Sequence, residues 1–379
     1  MTVLNSIADL RDLARARVPR ALFDYLARGS YDELTIGRNR TDLDAVELRQ
    51  RVMVDVSKIA TATTMVGQAC AMPLGIAPTG LTGLFHRDGE ICGARAAAAA
   101  GIPFCLSTVS ICSIEDLCEA GVAPFWFQLY LMRDRGFNEE LIGRAGAAQC
   151  PVLVLTLDLQ VQGVRRRDAK NGLAVPPRLT LRNALDIATK PAWMLGMLRS
   201  RRRNFGNIEG RLPGAQTVRN VSTWISEQFN PAANWQDAAW VRSLWPGKLV
   251  LKGVMDPDDA RRAADIGADA VVVSNHGGRQ LDGAPSTIAV LPRVVDALKG
   301  HCEVLFDGGV MSGQDILKAV ASGARGCLIG KAFLYGLAAG GEAGVTTALA
   351  ILRSELEVSM ALTGATDVQK VDGSVLWDR

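Results

Sequence analysis

A polar segment at residues 274–283 contains the side chains that could perform acid–base chemistry. It directly follows an apolar run at 270–273 that is typical of a buried strand. A hydroxyl, an amide, an imidazole and a guanidinium are costly in such a loop unless a polar ligand binds there. We therefore interpret His276 as a candidate catalytic base, with Arg279 beside it. The alternative is a histidine that serves only the local structure.

Apolar runs that suit buried parallel strands recur along the chain, and segments with helical periodicity lie between most of them. The runs lie at 74–77, 103–106, 125–129, 152–157, 249–251, 270–273, 304–306 and 326–329. The helical segments include 89–100, 113–120, 256–266 and 314–321. This alternation predicts an α/β fold, a (β/α)8 TIM barrel, preceded by helices within residues 1–60. A doubly wound sheet competes, but no strand–GxGxxG–helix unit with a downstream acidic residue is present.

Composition narrows the class of protein. A formal net charge of +3 over 379 residues gives no reason to expect nucleic-acid binding. The eight cysteines form no CxxC pair and no Cys/His cluster, which favours reduced thiols in a cytoplasmic protein and no metal site. The charged N-terminus is unlike a signal peptide, and no apolar run approaches the roughly 18 residues that span a bilayer. We expect a single domain over residues 1–379.

The predicted strands end in residues that could bind a ligand. Catalytic and binding groups of a TIM barrel lie at the carboxyl ends of its strands. In chain order, the residues at or beside these ends are Pro78, Thr79 and Gly80; Ser107; Gln128 and Tyr130; Thr156 and Asp158; Lys252; Ser274 and His276; Asp307 and Gly309; and Gly330 and Lys331. Polar or glycine-rich chemistry at all eight ends predicts one binding rim.

Two kinds of ligand group would suit this rim. The glycine-rich ends of the last two strands, with Lys331, suit a phosphate. Close packing of helix on strand is the alternative use of such glycines, and it explains either end alone better than the pair. Neutral hydrogen-bonding groups from consecutive strands, Ser107, Gln128 and Thr156, suit the edge of a heterocycle. Lys252 adds a positive charge for a ring that becomes anionic.

A second part of the rim would suit a small carboxylate. Arg165 and Arg279 offer two guanidiniums, and Tyr25 or Tyr130 offers a phenol. His276 would accept a proton from the bound acid, and Asp158 could pair with the imidazolium that forms. The alternative for Arg165 is a solvated position in the charged run 164–168.

One interval between strands is much longer than a barrel needs. Residues 171–247 carry a net charge of +6, so the rest of the chain carries −3, and they hold five of the seven tryptophans. The apolar stretch 193–198, followed by four arginines within 199–203, has the composition of an interfacial membrane anchor. A lid or an oligomer contact with a solvated basic edge would have the same composition.

These motifs resemble the FMN-dependent L-2-hydroxy acid dehydrogenase/oxidase family. The segment Ser274-Asn275-His276-Gly277-Gly278-Arg279-Gln280 is similar to that family's active-site signature, and similarity extends from residues 23–25 through 127–130 to 329–333. The resemblance implies a (β/α)8 barrel that binds FMN and oxidises a 2-hydroxy acid. It also implies a homotetramer, and the basic insertion is similar to that of the membrane-associated lactate and mandelate dehydrogenases. The protein would then lie in the cytoplasm or on the cytoplasmic face of the inner membrane.

The resemblance also implies roles for the rim residues. His276 would be the base, Asp158 its partner and Tyr130 a contact of the substrate hydroxyl. The substrate carboxylate would lie between Arg165, Arg279 and Tyr25. Residues expected around FMN are Pro78, Thr79, Gly80, Ser107, Gln128, Thr156, Lys252, Ser274, Asp307, Gly309, Gly330 and Lys331.

The chain departs from the family pattern at four positions. Met311 and Lys331 stand where relatives usually have arginines near the FMN phosphate. Gly80 and Val109 stand where some relatives have alanine and a large aromatic residue, which predicts more space beside the flavin. This favours a dehydrogenase that passes electrons to a quinone or a cytochrome over an oxidase that passes them to oxygen. His276 could take either the Cα proton or the hydroxyl proton. A silent flavin-binding scaffold and an unrelated phosphate-binding barrel enzyme are the other readings.

Overall fold

The computed structural model describes residues 3–122, 124–173, 180–209 and 224–377. Its strands are β1 Thr63–Met65, β2 Gln68–Cys70, β3 Leu74–Ile76, β4 Cys105–Ser107, β5 Trp126–Tyr130, β6 Val152–Thr156, β7 Lys248–Val254, β8 Ala270–Val273, β9 Glu303–Asp307 and β10 Gly326–Ile329. Its α-helices are α1 Ile7–Arg17, α2 Arg20–Ala27, α3 Leu34–Ala45, α4 Gly89–Ala100, α5 Ile114–Glu119, α6 Arg135–Ala147, α7 Arg166–Lys170, α8 Leu181–Ala188, α9 Pro191–Arg199, α10 Trp235–Leu244, α11 Pro257–Asp265, α12 Thr287–Leu298, α13 Gly313–Ala321 and α14 Lys331–Thr363.

Strands β3–β10 form a parallel barrel, as the alternation of apolar runs and helices predicts. Their order in the sheet is β3-β10-β9-β8-β7-β6-β5-β4. A parallel bridge between Ile76 and Phe104 brings the two outer strands together, with the amide of Ile76 donating to the carbonyl of Pro103 at 2.9 Å. The eight predicted strands are therefore confirmed, and all their carboxyl ends point to one rim.

Successive side chains of each barrel strand point alternately into the barrel and out toward the helices, which divides the core into two layers. Val152, Val154 and Val250 belong to a compact cluster in the barrel interior, together with Ala270 and Val272. The residues between them pack outward against the helices in the larger core. A short hairpin, β1–β2, joins the interior cluster through Met65 and Val66, so it closes the end of the barrel opposite the rim. The sequence did not predict this hairpin.

The N-terminal helical segment is only partly as predicted. Helices α1, α2 and α3 lie within residues 7–45, and Val18 and Pro19 separate α1 from α2. Residues 46–60 contain no helix and instead form isolated bridges to the C-terminal segment, Leu48 with Leu376 and Ala60 with Asp367. The predicted helical character of 1–60 is therefore wrong beyond residue 45. No helix in the described part of the chain is long and apolar enough to cross a membrane.

The loop after β9 is fixed where α13 begins. The backbone amide of Gly313 donates to Glu355 of α14 at 2.8 Å. A Cβ atom at Gly313 would lie 2.1 Å from the backbone nitrogen of Leu356. Only glycine allows α13 and α14 to approach this closely, and this contact holds the start of α13 just after the glycines of β9.

We expect Gly313→Ala to destabilise the fold by about 1–3 kcal/mol, because the added methyl group would force two helix backbones apart. Gly143→Ala is the matched control, since nothing lies within 4 Å of a Cβ there and α6 is a regular helix. Alanine at position 143 should raise the free energy of unfolding by roughly 0.5–1 kcal/mol. Thermal and urea unfolding of both variants would measure the difference. Equal stabilities would show that the helix contact is not tight.

Candidate active site

A buried ammonium group links three neighbouring strands at the rim. Lys252 of β7 is 4% exposed, and its Nζ lies 2.6 Å from Oδ2 of Asp307 and 2.9 Å from Oγ of Ser274. Ser274 in turn donates to Asp307 at 2.8 Å. Burial alone would lower the pKa of Lys252, but the carboxylates of Asp307 and Asp158 outweigh it and the pKa is raised. Lys252 is therefore a fixed positive charge.

Hydrogen-bonding groups from β4, β5 and β6 lie along the same rim. Ser107 of β4 donates to Oε1 of Gln128 at 3.0 Å, and the backbone amide of Thr108 approaches the same oxygen at 3.4 Å. These contacts orient the Gln128 amide and leave its Nε2 buried with no hydrogen-bond partner among the described residues. Thr156 is buried at the end of β6. A buried donor without a partner is costly, and its position among polar groups fits a ligand acceptor.

The candidate base and its carboxylate partner lie in direct contact. Nδ1 of His276 is 3.0 Å from Oδ1 of Asp158, and both side chains are largely buried. The backbone of His276 is in the left-handed region at φ 58°, and its amide donates to Ser274 at 3.1 Å. Burial would raise the pKa of Asp158, but the imidazole of His276 and the ammonium of Lys252 outweigh it and lower that pKa. A carboxylate that stays ionised can stabilise an imidazolium.

Two arginines converge on one phenol ring. The guanidinium carbons of Arg279 and Arg165 lie 4.5 and 5.9 Å from the ring centroid of Tyr25. Arg279 also donates to the backbone oxygens of Tyr25 and Arg28. Burial and the neighbouring Arg165 lower the pKa of Arg279, so an anion placed here would relieve a repulsion between two cations. Arg165 is thus not merely part of a solvated charge run.

Tyr130 lies between the base and the arginines. The residue is 8% exposed at the end of β5. Burial raises the pKa of its phenol, and Asp158 and Tyr25 raise it further, so the hydroxyl is a neutral donor. Phe229 of the long insertion packs edge-on against this ring with centroids 5.9 Å apart.

The glycine-rich ends of β9 and β10 form the opposite side of the rim. Gly309 has φ 93°, and a Cβ there would lie 2.6 Å from the backbone oxygen of Asn39. Gly330 leads into α14, and a Cβ there would meet only Thr79, at 3.6 Å. The ammonium of Lys331 lies 3.3 Å from the carbonyl of Gly277. Burial and Arg279 lower the pKa of Lys331 to about 7.

Gly80 and Val109, the two positions predicted to give more space beside the flavin, lie against each other. A Cβ atom at Gly80 would lie 2.7 Å from Cγ2 of Val109, so the valine side chain already fills the space above the glycine. The two positions therefore act as a pair. Pro78 and Thr79 precede them at the half-buried rim, where Thr79 is 2.7 Å from the hydroxyl of Thr82.

Several residues that support the site carry no local sequence signal. Arg40 forms paired contacts of 2.7 Å with both oxygens of Asp315 and donates to the carbonyl of Gly309 at 2.9 Å. Asn39 and Asn275 exchange two amide hydrogen bonds of 2.8 Å. These partners are separated by more than 230 residues, so only the folded structure brings them together.

The insertion between β6 and β7 divides into packed and exposed parts. Trp193 donates to the carbonyl of Leu84 at 2.8 Å, and Arg202 pairs with Asp88 and Asp116 at 2.8 and 2.7 Å. By contrast, α8 and α9 expose Leu181, Leu185 and Leu198 by 78%, 63% and 66%. Arg178, Arg211 and Arg219, which contribute to its basic character, lie outside the described residues.

The barrel and the polar groups at its rim define a class of protein, a TIM barrel with its candidate site at the carboxyl ends of the strands. The family profile for FMN-dependent dehydrogenases matches residues 14–378. L-lactate dehydrogenase of Caulobacter vibrioides is 48% identical over all of this chain and 98% of its own length. L-lactate dehydrogenase of Xanthomonas campestris pv. campestris is 44% identical over 99% of this chain and 97% of its own length.

Solved structures agree with this relationship. The monotopic membrane protein (S)-mandelate dehydrogenase superposes with a TM-score of 0.94 at 36% identity, covering both chains completely. Mandelate oxidase superposes with a TM-score of 0.85 at 37% identity, covering 100% of this chain and 99% of the other. The chain belongs to the FMN-dependent dehydrogenase family, which confirms the resemblance seen in the sequence, the FMN cofactor and the L-2-hydroxy acid dehydrogenase class.

The rim fits FMN on its own chemistry. Gln128 presents a buried donor that has no partner among the described residues, Lys252 presents a fixed cation, and Gly330 is a glycine where a Cβ would touch only Thr79, at 3.6 Å. These features match a polar ring edge, a ring that gains negative charge and a phosphate, respectively.

Proposed function

We propose that this protein oxidises an L-2-hydroxy acid of the lactate or mandelate type to the 2-oxo acid. The observation that carries the proposal is the pairing of His276 with Asp158, which lies between the Arg165–Arg279 pair and the buried Lys252. This arrangement offers a proton acceptor, a carboxylate site and a fixed positive charge on one rim. Bound FMN supplies the chemistry of accepting two electrons.

The charge of each side chain would determine its role in the reaction. Arg165 and Arg279 bind the substrate carboxylate, and Tyr25 fixes their orientation by stacking. Tyr130, a neutral phenol, donates to the substrate hydroxyl. His276 removes a proton, and Asp158 stabilises the resulting imidazolium through its contact with Nδ1. Lys252 offsets the negative charge that develops on the cofactor side.

We expect His276→Gln to bind FMN normally and to lose substrate-dependent flavin reduction by at least about 100-fold, because a glutamine amide cannot accept the proton. His301→Gln is the control, since this histidine is exposed on a loop. Stopped-flow bleaching of the flavin under anaerobic conditions, with lactate, mandelate, glycolate and a long-chain hydroxy acid, would measure both variants. Near-normal bleaching by the His276 variant would eliminate the base assignment.

Lys331 is proposed to bind the FMN phosphate together with the amides near Gly309 and Gly330. Without phosphate its pKa is lowered to about 7, below the ordinary 10.5. A phosphate dianion favours the charged ammonium, so binding should take up a proton above pH 7. The affinity for FMN should therefore fall as pH rises.

We expect the FMN dissociation constant of the apoprotein to rise between about pH 7 and 9, by at most roughly tenfold per pH unit, the limit for one proton. Lys331→Met should bind FMN more weakly, and its FMN affinity should not change over this pH range. Lys331→Arg should bind FMN tightly, again with an affinity that does not change over this pH range. The exposed Lys58→Met serves as control. Fluorescence titration of FMN at each pH is the measurement. A pH profile that Lys331→Met leaves intact would show that another group binds the phosphate.

The exposed face of α8 and α9 is proposed to contact a membrane surface on the cytoplasmic side. Three leucines expose most of their side chains there, and Arg182, Arg199 and Arg201 are exposed nearby. Exposed apolar residues beside cations are typical of interfacial helices that bind anionic lipids. Electron transfer to a membrane quinone or a cytochrome is the matching proposal for the acceptor.

We expect the triple variant Leu181→Gln, Leu185→Gln and Leu198→Gln to reduce partition onto anionic vesicles by about tenfold or more, since each leucine loses its apolar contribution. The control replaces Val52, Val358 and Leu362 with glutamine, because these are similarly exposed elsewhere. Flotation with vesicles measures both. Equal flotation of the triple variant and the unaltered protein would contradict the membrane face.

A peroxide-forming 2-hydroxy acid oxidase is the second candidate. The structural similarity to mandelate oxidase, at a TM-score of 0.85, favours it. Stoichiometric hydrogen peroxide with oxygen as the sole acceptor would select the oxidase. Little peroxide together with fast reduction of a quinone analogue would select the dehydrogenase.

A further inference from the structure

The loop 107–113 between β4 and α5 carries two groups that face the proposed cofactor side of the rim. Ser107 orients Gln128, and Val109 fills the space above Gly80. Val109 is half-buried, while its neighbours Thr108 and Ser110 are fully buried. The position of Val109 therefore depends on how the rest of this loop is held.

Asn207 of the long insertion holds this loop from one side. Its side chain is buried, and its Nδ2 donates to the carbonyls of Ser107 and Thr108 at 3.2 and 3.4 Å and to Oγ of Ser110 at 3.1 Å. Its Oδ1 accepts from the backbone amide of Ile114 at 3.0 Å. One amide side chain thus contacts both ends of the loop.

The backbone of Gly206, next to Asn207, packs directly against the loop 107–113 and leaves no space for a side chain. The amide of Gly206 donates to the carbonyl of Ser110 at 3.2 Å. A Cβ atom at Gly206 would lie 2.6 Å from the backbone nitrogen of Ser113 and 2.8 Å from the carbonyl oxygen of Ile111. Any side chain at 206 would displace Asn207 from the loop.

Glu90 of α4 holds the loop from the other side. Its Oε1 accepts from the amides of Ile111 and Gly83 at 2.8 and 3.1 Å. The carboxyl is buried, and burial raises its pKa. Within the loop, the hydroxyl of Ser110 lies 2.7 Å from the carbonyl oxygen of Ser107 and 2.6 Å from that of Cys112, so its one proton is shared between the two. The polar groups of the loop are therefore held by protein atoms from three parts of the chain.

We propose that Asn207 is a positioning residue for the cofactor side of the active site. Through its contacts with Ser107, Thr108 and Ser110, the insertion fixes the Ser107 hydroxyl against Gln128 and Val109 against Gly80. Losing the donors of Asn207 removes a hydrogen bond from each of two buried carbonyls, of which that of Ser107 keeps its Ser110 donors and that of Thr108 loses its contact with the insertion, a state that the loop would relieve by moving. This inference rests on the proposed function, and it assigns the insertion a role inside the site that is separate from any membrane contact.

The decisive variant is Asn207→Asp, which removes only the donors. The new carboxylate keeps the contact with Ile114 and lies near Arg144, whose Nη2 is 3.4 Å from Oδ1 of Asn207, so the fold is retained. Its second oxygen faces two carbonyl oxygens. Asn183→Asp is the matched control, because Asn183 also donates from the insertion to one backbone carbonyl, that of Asn171, but is half-exposed.

We expect Asn207→Asp to raise the FMN dissociation constant of the folded apoprotein about tenfold or more and to change the visible circular dichroism of bound FMN, while Asn183→Asp changes neither. Neither readout needs a substrate, so a failure of the proposed reaction would not affect them. An FMN affinity and a flavin spectrum equal to those of the control would overturn the proposal, even if thermal stability fell.

A second variant decides the outcome if Asn207→Asp does not accumulate as folded protein. Ser110→Ala removes the hydroxyl that accepts from Asn207 and donates to Ser107. It should weaken FMN binding in the same direction by a smaller factor of about three to ten, since it removes neutral hydrogen bonds and introduces no charge. Unchanged FMN affinity in a folded Ser110→Ala protein would contradict the positioning role.

Discussion

The rest of the site depends on one buried charge. An ammonium group inside a barrel loses its hydration, and only direct partners can compensate for a cost of several kcal/mol. Lys252 has such partners in Asp307 and Ser274, which come from the next two strands. The three strands must therefore keep their register at the rim, because a shift of one residue would turn Lys252 or Asp307 out of the interior. The cation that a reduced ring would need is thus part of what holds the barrel together.

Asp158 connects this charge to the proposed base. It lies on the chain just after β6, and Gly253, at φ 103°, leaves room for it because a Cβ there would lie 2.7 Å from Cγ of Asp158. His276 on one side and Lys252 on the other lower the pKa of Asp158 and so stabilise its ionised carboxylate. The left-handed backbone of His276 is a local cost for a residue that is not glycine, and its hydrogen bond to Ser274 offsets part of it. Base and cofactor-side charge are consequently one coupled unit.

The sequence predicted the barrel because both faces of a parallel strand are buried, so each strand appears as an apolar run with a polar end. The same reasoning located Lys252, Asp158 and His276, whose chemistry is unusual directly after such runs. It missed β1–β2, whose strands of three residues are too short for a periodic pattern. It also missed Asn207, since a single asparagine in a long loop has no local signal and its partners lie about 100 residues away. The pairing of Gly80 with Val109 depends on a loop geometry that composition does not encode.

The described parts of the insertion at 171–247 contact the candidate site at two places, beside Tyr130 at the end of β5 and at the loop after β4. At 228–229 it adds an antiparallel bridge beside β5, where Phe229 packs against Tyr130 and the amide of Arg133 donates to the carbonyl of Gln228 at 2.8 Å. At 206–207 it contacts the loop after β4. A lid that opened as a whole would have to break these hydrogen bonds in every cycle, including the buried ones of Asn207. The exposed leucine side chains of α8 and α9 cannot form hydrogen bonds, so an interaction with a surface there need not disturb the anchored segments. The same insertion can therefore combine a rigid wall of the active site with an exposed apolar face.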